Sequence, residues 1–218
     1  MAKHVLIFGP PGAGKGTFSS RIMEIMPEFK HISTGDIFRE NLKNETPLGK
    51  KAKEYMEAGE LVPDSLTNEL VKDKLSKVED ESWILDGYPR NNNQVEFLDE
   101  NADVDLFLLL DVPRDVIKKR ILGRFSCPEC GEIYNKYTLQ PKKQIGENKW
   151  ICDQCGAEIE FQQRSDDSEE TLEKRLDVYE QNAKPIIEHY KEKGILKKVD
   201  AQNTLELSED EIKNILEV

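Results

Sequence analysis

No stretch of this sequence stays apolar long enough to cross a bilayer. Its first residues also carry no apolar segment bounded by a cleavage site. The expectation is a cytoplasmic protein with no membrane contact. A surplus of positive charge is missing too: 31 Lys and Arg against 43 Asp and Glu leave a formal net charge of −12. Nucleic-acid backbones reward a basic face, so no nucleic acid is expected as a bulk partner. A small basic cleft for a nucleotide remains compatible with an acidic exterior. Internal repeats and low-complexity linkers are lacking. Cysteine is scarce, and all four cysteines fall in two Cys-x-x-Cys pairs. In a reducing compartment that spacing points to metal rather than disulfides. The three histidines, His4, His31 and His189, sit in contexts of ordinary packing or surface roles, and none is assigned to chemistry.

What the chain does have is concentrated at its beginning. Val5 to Phe8 is a short apolar run of the kind a buried parallel strand needs. Gly9-Pro10-Pro11-Gly12-Ala13-Gly14-Lys15-Gly16-Thr17 follows directly. Gly9, Gly12 and Gly14 lack Cβ atoms, so backbone N–H groups can crowd round an anion. The helix starting next adds its amides and dipole, and Lys15 brings a positive charge toward the outer phosphates. The general pattern places Ser or Thr directly after the lysine, whereas here Gly16 intervenes and Thr17 supplies the hydroxyl. This is a phosphate-binding loop.

The 218 residues, 37% apolar and 34% charged, suffice for one good-sized core with small inserted subdomains. Helical spacing is expected over 15–26, 36–44, 48–58 (closed by Gly59), 66–77 (capped by Asp64 or Ser65) and 92–100. Pro113 is expected in the first turn of a helix reaching about Leu122. Short strands are expected at 31–33, 83–87, 105–112 and 195–199. A long helix begins at Ser168 with the stripe Leu172, Leu176, Tyr179, Ala183, Ile186 and Tyr190, and Pro185 is expected to kink or interrupt it. The last helix covers 209–216. Strands alternating with helices mean a parallel α/β protein.

The cysteine pairs lie in a different texture, polar and turn-rich. Cys127-Pro128-Glu129-Cys130 and Cys152-Asp153-Gln154-Cys155 each form a tight turn presenting two thiolates. Four thiolates make a closed tetrahedral site suited to structural Zn²⁺. Residues 131–151 separate the pairs, slightly beyond the typical span. Iron in a rubredoxin-like site and two disulfides are the alternatives.

By this point the chain resembles the adenylate kinase family over nearly its whole length. The loop at 9–17 matches the family's phosphate loop, Gly after the lysine included. Four more blocks follow in the family's order: Ser33-Thr34-Gly35-Asp36 with Arg39, Asp86-Gly87-Tyr88-Pro89-Arg90 with Gln94, Arg120 with Arg124, and Arg164-Ser165-Asp166-Asp167 with Arg175. The resemblance implies a P-loop, three-layer α/β fold with a five-stranded parallel sheet. It implies a core of residues 1–33, 64–124 and 164–218, an inserted helical AMP-binding lobe at 34–63, and a small zinc-ribbon-like lid at 125–163. The implied reaction is ATP + AMP ⇌ 2 ADP with Mg²⁺, in a monomer.

Residue by residue, the resemblance places Gly12, Gly14, Lys15, Gly16 and Thr17 on ATP and Mg²⁺, with Asp86 orienting the metal and its waters. It places Arg39 and Arg90 on the acceptor monophosphate, and Arg124, Arg164 and Arg175 on the donor and transferred phosphates. Arg120 lies near the donor base, and Thr34 and Gln94 read the acceptor adenine. Cys127, Cys130, Cys152 and Cys155 would hold structural Zn²⁺. Tyr134-Asn135 stands where the family has an aromatic-polar pair near the donor ribose. Asn91 replaces the family's usual Thr and is not expected to be a ligand. Independently of the name, phosphoryl transfer between two nucleotides gathers several negative charges, and arginine's planar fork suits them.

Competing readings are another nucleoside monophosphate kinase, or a P-loop nucleotide switch whose ribbon binds nucleic acid or a protein. The latter draws on Lys136, Lys142, Lys143 and Lys149 of the ribbon. A turn cap is the plain alternative for Asp86, and a surface ion pair for any single arginine.

Overall fold

The computed structural model describes residues 2–164 and 166–218, so Ser165 of the fourth block lies outside the described residues. In chain order the elements are β1 (His4–Phe8), α1 (Lys15–Ile25), β2 (Lys30–Ser33), α2 (Thr34–Lys43), α3 (Pro47–Ala58), α4 (Asp64–Leu75), β3 (Trp83–Asp86), α5 (Asn92–Asn101), β4 (Leu106–Asp111) and α6 (Arg114–Leu122). Five short strands follow in a different texture: β5 (Arg124–Ser126), β6 (Ile133–Asn135), β7 (Lys143–Gly146), β8 (Lys149–Ile151) and β9 (Glu158–Glu160). The chain closes with α7 (Glu169–Glu192), β10 (Leu196–Asp200) and α8 (Glu209–Leu216).

Strands β10-β4-β1-β3-β2 form one parallel sheet. Its central strands β1, β3 and β4 bury both faces, and side-chain alternation splits them into two apolar layers. Val5, Ile7, Ile84, Leu106, Leu108 and Leu110 face α1, α6 and α8, where Phe18, Ile22, Ile117, Ile121, Ile212 and Leu216 meet them. Leu6, Phe8, Leu85 and Phe107 face Val71, Leu75, Val95, Leu98, Ile186 and Tyr190. β1 lies between β3 and β4, so the chain winds away from it in both directions. Ligand crevices in such sheets open at the carboxyl ends of strands beside this switch point, which is where residues 9–17 lie.

Residues 125–161 have their own small core of Phe125, Tyr134, Trp150 and Ile159, with Cys127 and Cys152 buried among them. It is carried by the antiparallel pair β5-β6 and the three-stranded β7-β8-β9.

Three local expectations need correction. Pro185 does not interrupt α7, which runs for 24 residues. Proline there deprives only the Gln181 carbonyl of its helical donor, and Gln181 is exposed. Ala183, Ile186 and Tyr190 hold the segment on the sheet. Pro113 precedes α6 as its cap residue instead of lying in the first turn. Asp64 is the first residue of α4, and neither it nor Ser65 caps the helix. Instead the Asp64 carboxylate accepts from Asn91 Nδ2 at 2.9 Å and from Gln94 Nε2 at 2.7 Å.

Candidate active site

Gly12 and Gly14 hold φ values of 79° and 91°, in the left-handed region that favours glycine. A Cβ on Gly12 would also sit 2.9 Å from Ile121 Cγ1, so the loop is pressed against α6. Gly14 caps α1 without a side-chain acceptor, leaving the first amides of the helix directed at the cleft. Lys15 Nζ donates to the Gly9 and Pro10 carbonyls at 2.9 and 3.0 Å, which holds the ammonium over the loop. Burial pushes the Lys15 pKa from 10.5 down to about 8; Asp86 pulls it up, and Arg90, Arg175 and Arg124 press it down. An ammonium in that position is short of negative charge, which a phosphate supplies.

Asp86 ends β3 nearly buried, its carboxylate 3.7 Å from His31 Nε2 and beside Gly16. Among the described residues no backbone amide donates to that carboxylate, so Asp86 is not a turn cap. It and Thr17 line the same cleft.

Six arginines line this cleft, of about 510 Å³: Arg120 and five others. Arg39, on α2, reaches Asp36 at 2.5 Å. Arg90, in the turn after β3, donates from Nε to the Gly87 carbonyl at 2.7 Å. Arg164 donates to Ser126 Oγ at 2.8 Å. Arg124 grips Asp167 with both Nε (2.8 Å) and Nη2. Arg175 reaches the Asp166 carboxylate at 3.1 Å and Asp167 at 3.4 Å. Burial lowers the pKa of Arg90 to about 10 and of Arg164 to about 9, with neighbouring arginines adding to it. Both stay charged at neutral pH. Burial opposes the Arg124 charge as well, but Asp167 outweighs it and the pKa is raised.

Asp166 and Asp167 carry no task in the motif at 164–167 as the sequence presents it. Asp167 is fully buried and binds two of the arginines at once. Burial works against the Asp166 carboxylate, but Arg175 and the other arginines prevail and lower its pKa. The signal available was the Asp-Asp pair next to Arg164 in an otherwise arginine-rich cleft.

Arg120 is part of the wall, not a surface ion pair: it donates to the Ala13, Ala201 and Gln202 carbonyls at 3.0, 2.8 and 2.8 Å. A second recess adjoins the cleft, lined by Thr34, Arg39, Arg90, Gln94 and Arg175. Thr34 Oγ1 donates to the Gly87 carbonyl at 2.9 Å. Gln94 accepts from Arg90 N at 2.7 Å and donates to Asp64, leaving one amide proton and one lone pair on its carboxamide. Asn91 caps α5, accepting from Gln94 N at 2.9 Å.

The Tyr134-Asn135 pair borders the cleft, but its polar groups serve the protein. Asn135 donates to the Arg120 carbonyl at 2.8 Å and accepts from the Tyr137 and Thr138 amides at 2.8 and 3.1 Å. Tyr134 is turned into the small core around the cysteines.

The four cysteine sulfurs lie within 4.8 Å of one another, all as free thiols. Cys127 and Cys155, and Cys130 and Cys152, approach to 3.6 Å. A tetrahedron with Zn–S bonds of about 2.3 Å has edges of about 3.8 Å, so the donor set fits such an ion. Lys43, at the end of α2, donates to the Pro128 carbonyl of the first turn at 3.1 Å.

A parallel sheet, a glycine loop with its lysine at the carboxyl edge of β1 and an arginine-walled cleft define a P-loop protein that handles nucleotide phosphates. The family model described as Adenylate kinase matches residues 7–195. The chain belongs to the adenylate kinase family. It is 48% identical over 207 residues to the adenylate kinase of Thermotoga neapolitana, covering 92% of this chain and 90% of that one. It is 45% identical over 218 residues to that of Thermoanaerobacter sp., covering 97% of each chain. With the adenylate kinase of Clostridium tetani it shares 43% over 219 residues, covering 98% of each.

Proposed function

We propose that the chain transfers the γ-phosphoryl group of ATP to AMP, giving two ADP. The observation that carries this reading is the convergence of Lys15, Arg39, Arg90, Arg124, Arg164 and Arg175 on one cleft with an adjoining recess. Such a cleft can take two phosphate chains end to end. The bond between the γ-phosphorus and the β–γ bridging oxygen of ATP breaks as an AMP phosphate oxygen bonds to that phosphorus. The electron pair stays on the departing β-phosphate. No protein base is needed, and the fixed cations stabilise charge on the transferring group.

In this reading Gly12, Gly14, Gly16 and Lys15 hold the donor phosphates. Arg124, Arg164 and Arg175 hold the donor and transferred phosphates, Arg39 and Arg90 hold the AMP phosphate, and Arg120 flanks the donor base. Thr34 and Gln94 read adenine. The Thr34 proton is committed to Gly87, so its oxygen is left to accept from an amino group such as adenine carries. Mg²⁺ would arrive with ATP and screen its phosphates, and Thr17 and Asp86 would orient the ion and its waters.

The lobes in this reading are residues 34–63 for AMP and 125–163 for the lid, around a core of 1–33, 64–124 and 164–218. Zn²⁺ on Cys127, Cys130, Cys152 and Cys155 would supply folding energy to the lid, whose own core is small. The protein acts as a cytoplasmic monomer without nucleic acid. Phosphorus NMR of an equimolar ATP and AMP mixture tests the reaction. Two ADP should form for each ATP lost; ADP and inorganic phosphate in equal amounts, with AMP untouched, would overturn the reading.

A further inference from the structure

The Tyr134 hydroxyl has no part in the proposed transfer, yet it is fixed against the thiol cluster. Tyr134 lies on β6, just after the first Cys-x-x-Cys turn, whereas its polar partners belong to the second. Its Oη is 2.8 Å from Asp153 N and 3.4 Å from Cys152 Sγ. The Asp153 N–H can only donate, so it takes a lone pair of the phenol oxygen. The single phenol proton is then free for the sulfur, the other polar partner of the hydroxyl among the described residues. The ring is 4% exposed and packs on Phe125 at 5.7 Å between centroids, so the hydroxyl has little freedom to turn elsewhere.

We infer that Tyr134 is a positioning residue of the four-cysteine site, donating its hydroxyl proton to the Cys152 sulfur and so strengthening retention of a thiophilic divalent cation. A ligating cysteine is a thiolate, and a charge-assisted O–H···S⁻ bond fixes the direction in which its remaining lone pairs point. The same hydroxyl holds the Asp153 amide. One side chain thereby keeps the second turn in register with the first, before and after an ion arrives. Outer partners of this kind change metal affinity by about 10–100-fold when removed.

The inference rests on reading the cluster as a metal site, and the experiment separates the two. Parent and Tyr134→Phe full-length proteins are purified with Zn²⁺, their metal content is measured, and zinc release to a chromogenic chelator is followed. The Phe variant keeps the ring and its packing. Tyr134→Leu, which loses both, reports the effect of the ring alone by difference. We expect about one zinc in the parent, and release about ten-fold faster or more from Tyr134→Phe. With Co²⁺ in place of zinc, the sulfur-to-metal charge-transfer band of Tyr134→Phe should shift, which a purely structural role of the ring would not cause. Parent and Tyr134→Phe proteins with equal release rates and superimposable cobalt spectra would overturn the inference while leaving the metal site standing. A parent that takes up no zinc or cobalt would overturn the metal site itself. Should Tyr134→Phe fail to fold, the Cd²⁺-loaded parent tests the same bond. The Tyr134 hydroxyl proton should then exchange slowly with water, and fast exchange would refute it.

Discussion

Replacing Asp167 with Ala removes the acceptor that holds Arg124 and Arg175 together. The Asp167 side chain is 0% exposed and that of Arg124 18%, so the pair is shielded from solvent almost completely. Deleting one partner of a buried pair leaves the other charge uncompensated and costs about 3–5 kcal/mol. Arg124 keeps some exposure to water and the longer-range attraction of Asp166, which favours the lower end, about 3 kcal/mol. The loss should appear in urea unfolding as a lower midpoint with little change in slope. Activity should fall further than stability explains. Arg124 and Arg175 lose the contacts that aim them, and misplacement by about 1 Å can cost about 100-fold in rate. The double variant Asp167→Ala/Arg124→Ala should recover part of the stability, since the stranded charge is gone, but none of the activity. A single variant within about 1 kcal/mol of the parent and turning over normally would refute the argument. So would a double variant less stable than the single.

Other outcomes follow from the same geometry. The free-enzyme pKa of Lys15, about 8, should appear as a fall in kcat/KM for ATP above that pH. Its effect on stability has the opposite sense. Between about 8 and 10.5 the unfolded chain binds more protons at this lysine than the folded one, so this group's contribution rises with pH. A kcat/KM flat to pH 10 would contradict the placement. Gln94→Ala should raise the KM for AMP by about five-fold or more while leaving that for ATP nearly unchanged, about 1–3 kcal/mol for one polar reader; equal losses for both nucleotides would dissociate Gln94 from the acceptor. Cys130→Ser should lower metal content and the melting temperature of residues 125–161 together, with the sheet still folded by circular dichroism at room temperature. Unchanged metal content and melting would refute the metal staple.

What the sequence made legible was local. The apolar run Val5–Phe8, the glycine spacing before Lys15 and the stripe along α7 each follow from a repeat readable over a few residues. The cysteine pairs were readable because thiolate turns are short and chemically distinctive. What escaped depended on partners far apart in the chain. Asp64 looks like a helix cap from its neighbours alone, yet its carboxylate serves Asn91 and Gln94. Asp167 gains its meaning only when folding delivers Arg124 to it. Asn135 looks like a ligand-facing residue until the end of α6 comes within hydrogen-bonding distance. Pro185 carries a strong local signal that tertiary packing overrides, because the stripe on both sides of it is already buried against the sheet.

The proposed transfer requires one cleft to hold a donor triphosphate and an adenine monophosphate together. An ADP-forming assay with ATP and each of AMP, CMP, UMP and GMP, run beside Lys15→Met, tests it most directly. Rapid turnover is expected with AMP, at least about ten-fold lower kcat/KM with the other three, and loss of nearly all activity in a folded Lys15→Met protein. Equal rates with all four monophosphates would contradict the role given to Thr34 and Gln94. Undiminished turnover by Lys15→Met would contradict the phosphate loop, and the account with it.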